Sequence, residues 1–260
     1  PLLYNTFFQA GLLRKKLQDK FTVDVAMRYG DPSIQSKMIE YKNTGFDNIV
    51  FLPMFPQYST TTTKSIANKI ARIVKKEKIF MDDKNISLIK DFHDHDGYIN
   101  ASVLHIQSFQ KINGKPSKLL LSFHGIPKSY VGDDEPYQSQ CIKTAELIAE
   151  KLNLSDNQYE IVFQSRFGKA EWIQPYLAER LEKLPNEGVK DIQVYCPGFS
   201  SDCLETIEEI GEESHDLFME SGGENYKFIP CLNGDDVFIE FLESLIRNYK
   251  KKRINFRDLL

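Results

Sequence analysis

The stretch LLLSFHGIP ends an apolar run on His124, with Gly125 next. An imidazole titrates near neutral pH and binds iron-like metals. At a strand tip it could therefore accept a proton or hold a metal ion, and the competing reading is a buried histidine with both nitrogens satisfied. Gly125 would let another backbone or a flat ligand come close. Further on, Glu205, Glu209 and Glu213 recur at every fourth residue, which lines them along one helical face, with Glu208 and Glu212 as a neighbouring row. Such a row is either a solvated acidic face or a path for protons or a divalent cation. Like charges at this spacing repel, and no lysine or arginine interrupts the row. Trp172, the only tryptophan, is either a loop anchor or a flat surface for a planar ligand. Arg28 and Tyr29 could meet an anionic group or form a local salt bridge. In DFHDHDGYI, His93 and His95 alternate with Asp91, Asp94 and Asp96; this reads as a loop and helix cap more readily than as a metal site.

The elements that must carry these residues alternate. Strands are predicted at 22–30, 47–56, 86–92, around LLLSFHG, and at 159–166, 191–198 and 226–230. Helices are predicted at 33–45, 60–78, 97–112, 139–154, 175–188, 201–220 and 235–252. This pattern implies parallel sheets with helices on both faces. The two runs join near Asn113-Gly114-Lys115-Pro116. They divide the chain into an N-terminal lobe (1–113), a C-terminal lobe (114–233), and a closing helix with a basic tail (234–260).

Ligands of such sheets sit beyond the carboxyl ends of the strands. The residues expected there are Arg28 and Tyr29; Gln57, Tyr58 and Ser59; His93 and His95; His124; Gln164, Ser165 and Arg166; and Pro197 to Phe199. The chain has no G-x-G-x-x-G, no P-loop and no G-x-S-x-G, which excludes the common nucleotide cradles and the hydrolase elbow.

The 260 residues carry a net charge of −4, which argues against nucleic-acid binding. The basic run Lys250 to Arg253 reads as a solvated helix end, with contact to anionic lipid as the alternative. Four dispersed cysteines without a C-x-x-C read as reduced thiols of a cytoplasmic protein. The apolar runs are too short to span a membrane.

Five segments, AMRYGDPSI, FLPMFPQYSTTTT, LLLSFHGIP with PYQSQC, VFQSRFGKAEWIQPY, and CPGFSSDCLETIEEI, resemble the ferrochelatase family, in that family's order and over nearly the whole chain. The resemblance implies two Rossmann-like lobes with a porphyrin cleft between them, and insertion of ferrous iron into protoporphyrin IX. It implies that His124 and Glu205 are the catalytic pair and metal ligands, and that Glu209, Glu213 and Asp202 form a proton or metal path. Arg28, Tyr29, Tyr58, Ser59 and Trp172 would line the porphyrin. Cys203 stands where some relatives carry a second histidine.

Iron is then a substrate. With no cysteine-rich tail in this sequence, no iron–sulfur cluster is expected. The expected state is a monomer touching the inner membrane peripherally. The opening PLLYNTFFQ corresponds to a point beyond the family's first strand and apolar lip, so a fragment of a longer protein is expected. The alternatives are a chelatase for another tetrapyrrole, such as coproporphyrin or a cobalt-accepting ring, and a porphyrin-binding fragment without turnover.

Overall fold

The C-terminal half is assembled round β3 (Lys118–His124). It lies between β4 (Tyr159–Gln164) and β5 (Asp191–Tyr195), with β6 (Asn225–Ile229) outside β5, and every pairing is parallel. The protein is seen here as a computed structural model, which describes residues 1–42, 44, 46, 48–79, 85–132, 134–248 and 253–255. Side chains of β3 alternate between two cores. Leu119, Leu121 and Phe123 join the one built with α4 (Asp96–Asn113), α5 (Tyr137–Leu152) and α8 (Asp236–Arg247). Leu120 joins the one built with α6 (Leu177–Lys183) and α7 (Ser214–Glu220). Covering both faces is why the strand reads as a continuous apolar run instead of an alternating one.

In the N-terminal half, β1 (Asn48–Phe51) pairs in parallel with β2 (Asn85–Ile89). Helices α2 (Ile34–Tyr41) and α3 (Thr63–Glu77) bury Ile34, Met38, Ile70 and Ile73 against Ile86 and Leu88. A further helix, α1 (Leu2–Leu17), adds to the predicted elements and packs on α8 through Leu13 and Leu17. The sheets and their flanking helices form the expected α/β fold of two Rossmann-like lobes. Among the described residues, no helix is long and apolar enough to cross a membrane.

Four predicted elements need correction. Residues 22–30 make only an isolated bridge, Met27 to Ser33, because a strand requires a laddered neighbour and none lies beside this segment among the described residues. The closing helix stops at Arg247, and Arg253 sits in β7 (Arg253–Asn255), an antiparallel neighbour of β2; Lys250, Lys251 and Lys252 lie outside the described residues. The third is the acidic helix. Its middle, Glu205–Glu213, is π-helical, and Ser214–Glu220 is α. The Ser214 N–H donates to the Glu209 carbonyl, the i→i+5 bond that defines this wider turn. Residues 175–188 are likewise split, because Pro185 has no N–H to continue α6 and the chain closes in a 3-10 turn over Leu184–Glu187.

Candidate functional site

The order β4-β3-β5-β6 makes β3 and β5 the strands from which the chain departs in opposite directions. Ligands of open parallel sheets bind at such a switch point. His124 is the last residue of β3 and stands directly beside Gln164, the last residue of β4. The ladder runs one residue further, since the Gly125 N–H donates to the Gln164 carbonyl at 2.8 Å. The His124 Nδ1 lies 2.6 Å from the Gly125 carbonyl. That contact requires the proton on Nδ1, which leaves the Nε2 lone pair free to take a proton or a metal. Tyr137, at the start of α5, donates to the His124 carbonyl at 2.9 Å, so backbone and ring are both held.

Trp172 packs over this turn. Its ring centroid is 6.3 Å from that of His124, and the residue is buried. Ile173 donates to the Ile126 carbonyl, and Tyr176 bonds both the N–H and the carbonyl of Trp172, which fixes the loop. The indole N–H is buried without a partner among the described residues. A Cβ on Gly125 would come within 3.0 Å of both the Gln164 carbonyl and the indole. The glycine is therefore required for the close approach of tryptophan to the histidine turn.

Gln164 carries the connection to the acidic segment. Its carboxamide oxygen accepts from the Ser122 hydroxyl at 2.9 Å, which leaves Nε2 to donate to the Glu205 carbonyl at 3.2 Å and the Glu209 carboxylate at 3.4 Å. Glu209 is bound more tightly by Ser165, through its N–H at 2.6 Å and its hydroxyl at 2.5 Å. Ser165 adopts a left-handed φ of 63° as it leaves β4, a conformation unusual for a residue with a Cβ. The buried amide of Gln164 thus ties the strand beside His124 to the start of the π-helical segment. Glu205 and Glu213 are exposed at the two ends of the π-helical segment. Burial, followed by a hydrogen bond to Glu205, pushes the Cys203 thiol up to about 12. Cys203 is thus a buried neutral thiol next to the first glutamate.

Asp202 is placed differently. Its carboxylate accepts from the Thr206 hydroxyl, the Cys231 N–H and the Asn233 amide, and its carbonyl accepts from Asn5. It pins the loop entering the π-helical segment to α1 and to the 231–233 turn.

The N-terminal half contributes through the loop after β1. Gln57 is buried and donates to Thr144 on α5, and the Tyr58 N–H donates to Gln140 at 2.7 Å. Ser59 and Thr60 bind Glu135, whose Oε2 accepts from the Ser59 hydroxyl at 3.1 Å and from the Thr60 N–H at 2.8 Å and hydroxyl at 2.5 Å. Burial, and then the charges of Glu135 and Asp134, raise the Tyr58 phenol. Arg28 donates to Ser65 on α3 at 3.0 Å and stacks on the exposed Tyr29. Among the described residues, no hydrogen bond joins this pair to the histidine turn. Glu135 and Tyr137, which tie the 58–60 loop and the histidine backbone into one unit, escaped the sequence reading. A carboxylate inside DDEPY looks solvated, and only the Ser-Thr-Thr-rich loop far upstream hints at a buried acceptor.

The ferrochelatase family profile matches residues 1–250. The chain belongs to the ferrochelatase family. Curated ferrochelatases are similar along it: 44% identity to that of Marinobacter nauticus, covering 95% of this chain and 67% of the relative, and 42% to that of Idiomarina loihiensis, covering 95% and 68%. The chain thus spans about two thirds of the length of these ferrochelatases. Among solved structures, SirB from Bacillus subtilis with Fe3+ superposes with a TM-score of 0.64 at 16% identity over 96% of this chain and 93% of its own. The cobalt complex of the sirohydrochlorin chelatase SirB from Bacillus subtilis subspecies spizizenii gives 0.61 at 12% identity, covering 94% and 88%. At these identities the likeness concerns the fold.

Proposed function

We propose that this chain carries the metal-inserting site of a ferrochelatase and acts on ferrous iron and protoporphyrin IX. The observation that carries the reading is the place of His124 at the switch point of the sheet, beside Gln164, whose carboxamide binds the Glu205 carbonyl and the Glu209 carboxylate of the π-helical segment. A free porphyrin holds two pyrrole N–H protons in its plane, and a metal enters only as they leave. The free Nε2 of His124 accepts one proton, as a positioned general base does. Glu205 takes the second. The row through Glu209 to the exposed Glu213 passes protons toward solvent. The same imidazole and carboxylate oxygens are acceptable ligands for ferrous iron. Tyr58, partly exposed, would offer aromatic surface to a flat ring, with the buried Trp172 and Ser59 backing the wall and Arg28 and Tyr29 as further lining. Binding the ring bent would direct binding energy toward the transition state.

The test is absorbance-monitored metal insertion by the purified chain with protoporphyrin IX and either ferrous iron or zinc, run in parallel with coproporphyrin. Wild type should turn over, and His124→Ala should lose about a hundredfold or more in rate while still binding porphyrin. An unimpaired His124→Ala variant that retains porphyrin binding would end the histidine assignment. Binding without turnover in wild type would leave a carrier.

A further inference from the structure

We infer that Lys90 is a carboxylate anchor of this site: its ammonium, held over the Tyr58 ring, takes a propionate of the porphyrin. The inference deepens the porphyrin reading of the site and rests on it. Sequence pattern does not single out Lys90; its neighbours in space do.

Lys90 directly follows β2, at the carboxyl end of the strand, where open parallel sheets receive their ligands. Its Nζ lies 4.6 Å from the centroid of the Tyr58 ring. Tyr58 comes from the loop after β1, the parallel neighbour of β2, so two adjacent strand ends supply the pair. Both residues are partly exposed. The first turn of α5 ties them to the histidine. Gln140 accepts from the Tyr58 N–H at 2.7 Å, and Tyr137 donates to the His124 carbonyl at 2.9 Å. These two α5 residues are three apart and share a face of the helix. One helix start thus holds the cation-bearing loop of one sheet and the histidine strand of the other.

The charge is placed but not neutralised. Among the described residues, Lys90 forms no ion pair, and the nearby carboxylates have other partners: Asp91 meets the His93 Nδ1 at 3.0 Å, and Glu135 is bound by Ser59 and Thr60. An aromatic face attracts an ammonium without bonding its N–H groups, which stay available to an acceptor. Arg28 differs, because its Nε is spent on Ser65 at 3.0 Å and its plane on Tyr29. The ligand group that suits Lys90 is an anion with hydrogen-bond acceptors on a flexible arm. The propionates are the only charged groups of protoporphyrin IX, so one such contact fixes how the ring is turned within its plane.

The probes are protoporphyrin IX and its dimethyl ester, which keeps the ring and loses both charges. Binding to the full chain is read from quenching of Trp172, the only tryptophan, and from the porphyrin absorbance. Wild type should bind the free acid more tightly than the ester. Lys90→Met keeps much of the stem without the charge; it should weaken the free acid about tenfold and leave the ester unchanged. Lys90→Arg should restore most of the affinity, and added salt should narrow the gap between acid and ester. In metal insertion, Lys90→Met should raise KM with little loss in kcat. Circular dichroism melts check that the variants fold. Equal loss for acid and ester, or loss for neither, would overturn the anchor and leave the proposed reaction standing. Lys90-dependent binding of the acid without metal insertion would support the anchor and strike the reaction. A wild type that binds neither form would overturn both.

Discussion

Gly125→Ala tests the packing on which the site rests without needing any turnover. The added methyl would sit 3.0 Å from the Gln164 carbonyl and 3.0 Å from the Trp172 ring, against an optimum of about 3.5–4.0 Å between carbon atoms. The carbonyl cannot yield freely, because it holds the Gly125 N–H that extends the β3–β4 ladder. The indole must move instead, and Tyr176 and the Ile126–Ile173 bond resist that movement. Overpacking of this kind costs about 1–3 kcal/mol. Replacing glycine returns about 0.4–1 kcal/mol through the unfolded chain, so the expected net loss is about 1–2 kcal/mol. Trp172 is the only tryptophan, so its fluorescence reports both the unfolding midpoint in urea and the displacement of the ring. In a Trp172→Phe background the clash should shrink, giving a coupling of about 0.5 kcal/mol or more when unfolding is followed by circular dichroism. A Gly125→Ala variant as stable as wild type, with unshifted emission, would refute the close approach and the inference that the tryptophan braces the histidine turn.

Glu209→Gln removes the charge that accepts two short bonds from Ser165, so a loss of about 1.5–3 kcal/mol in urea denaturation is expected, and an unchanged midpoint would show that those bonds do not hold the π-helical segment to β4. Glu135→Ala leaves the Ser59 hydroxyl and the Thr60 N–H and hydroxyl without their acceptor; thermal melts should show a loss of about 2–3 kcal/mol, with Glu135→Gln losing less because one oxygen remains. Burial raises Tyr137, Tyr195 and Tyr226 above their ordinary 10.0, and Cys141, Cys196 and Cys231 above 9.0. The unfolded chain releases these protons first as pH rises, so it then binds fewer than the folded chain. Their contribution is intact below about pH 9 and is lost above it, so the urea midpoint should fall between about pH 8 and 10.5; a flat midpoint would contradict their burial.

How far the fold could be read in advance depended on whether each signal was local. β3 announced itself because a strand covered on both faces needs an unbroken apolar run, and LLLSF supplies one. The segment 22–30 carries an equally strand-like pattern, yet strand formation is completed by a neighbour, which periodicity cannot reveal. The π-helical turn was hidden for a related reason. Glutamates at every fourth residue suit an α-helix, and the capture of Glu209 inside the wider turn by a serine at the end of a different strand is a long-range contact that periodicity does not carry.

The same division runs through the site. Residue types named His124, Trp172 and the glutamates because each carries visible chemistry at a strand end or along a helix. The groups that hold their backbones in place, Tyr137 and Glu135 beside the strand-end Gln164, are ordinary in sequence, and their part appears only when three-dimensional neighbours supply complementary donors and acceptors. Asp202 shows the converse. Next to the acidic row it reads as one more carboxylate of the path, but an aspartate taking a hydroxyl, a backbone N–H and an amide in a buried turn has its lone pairs committed to holding the loop. The physical distinction is the identity of the donors. Glu213 faces water and can exchange protons with it, whereas Asp202 faces fixed protein dipoles, and giving up their hydrogen bonds to carry a proton or an ion would open the turn from which the π-helical segment starts.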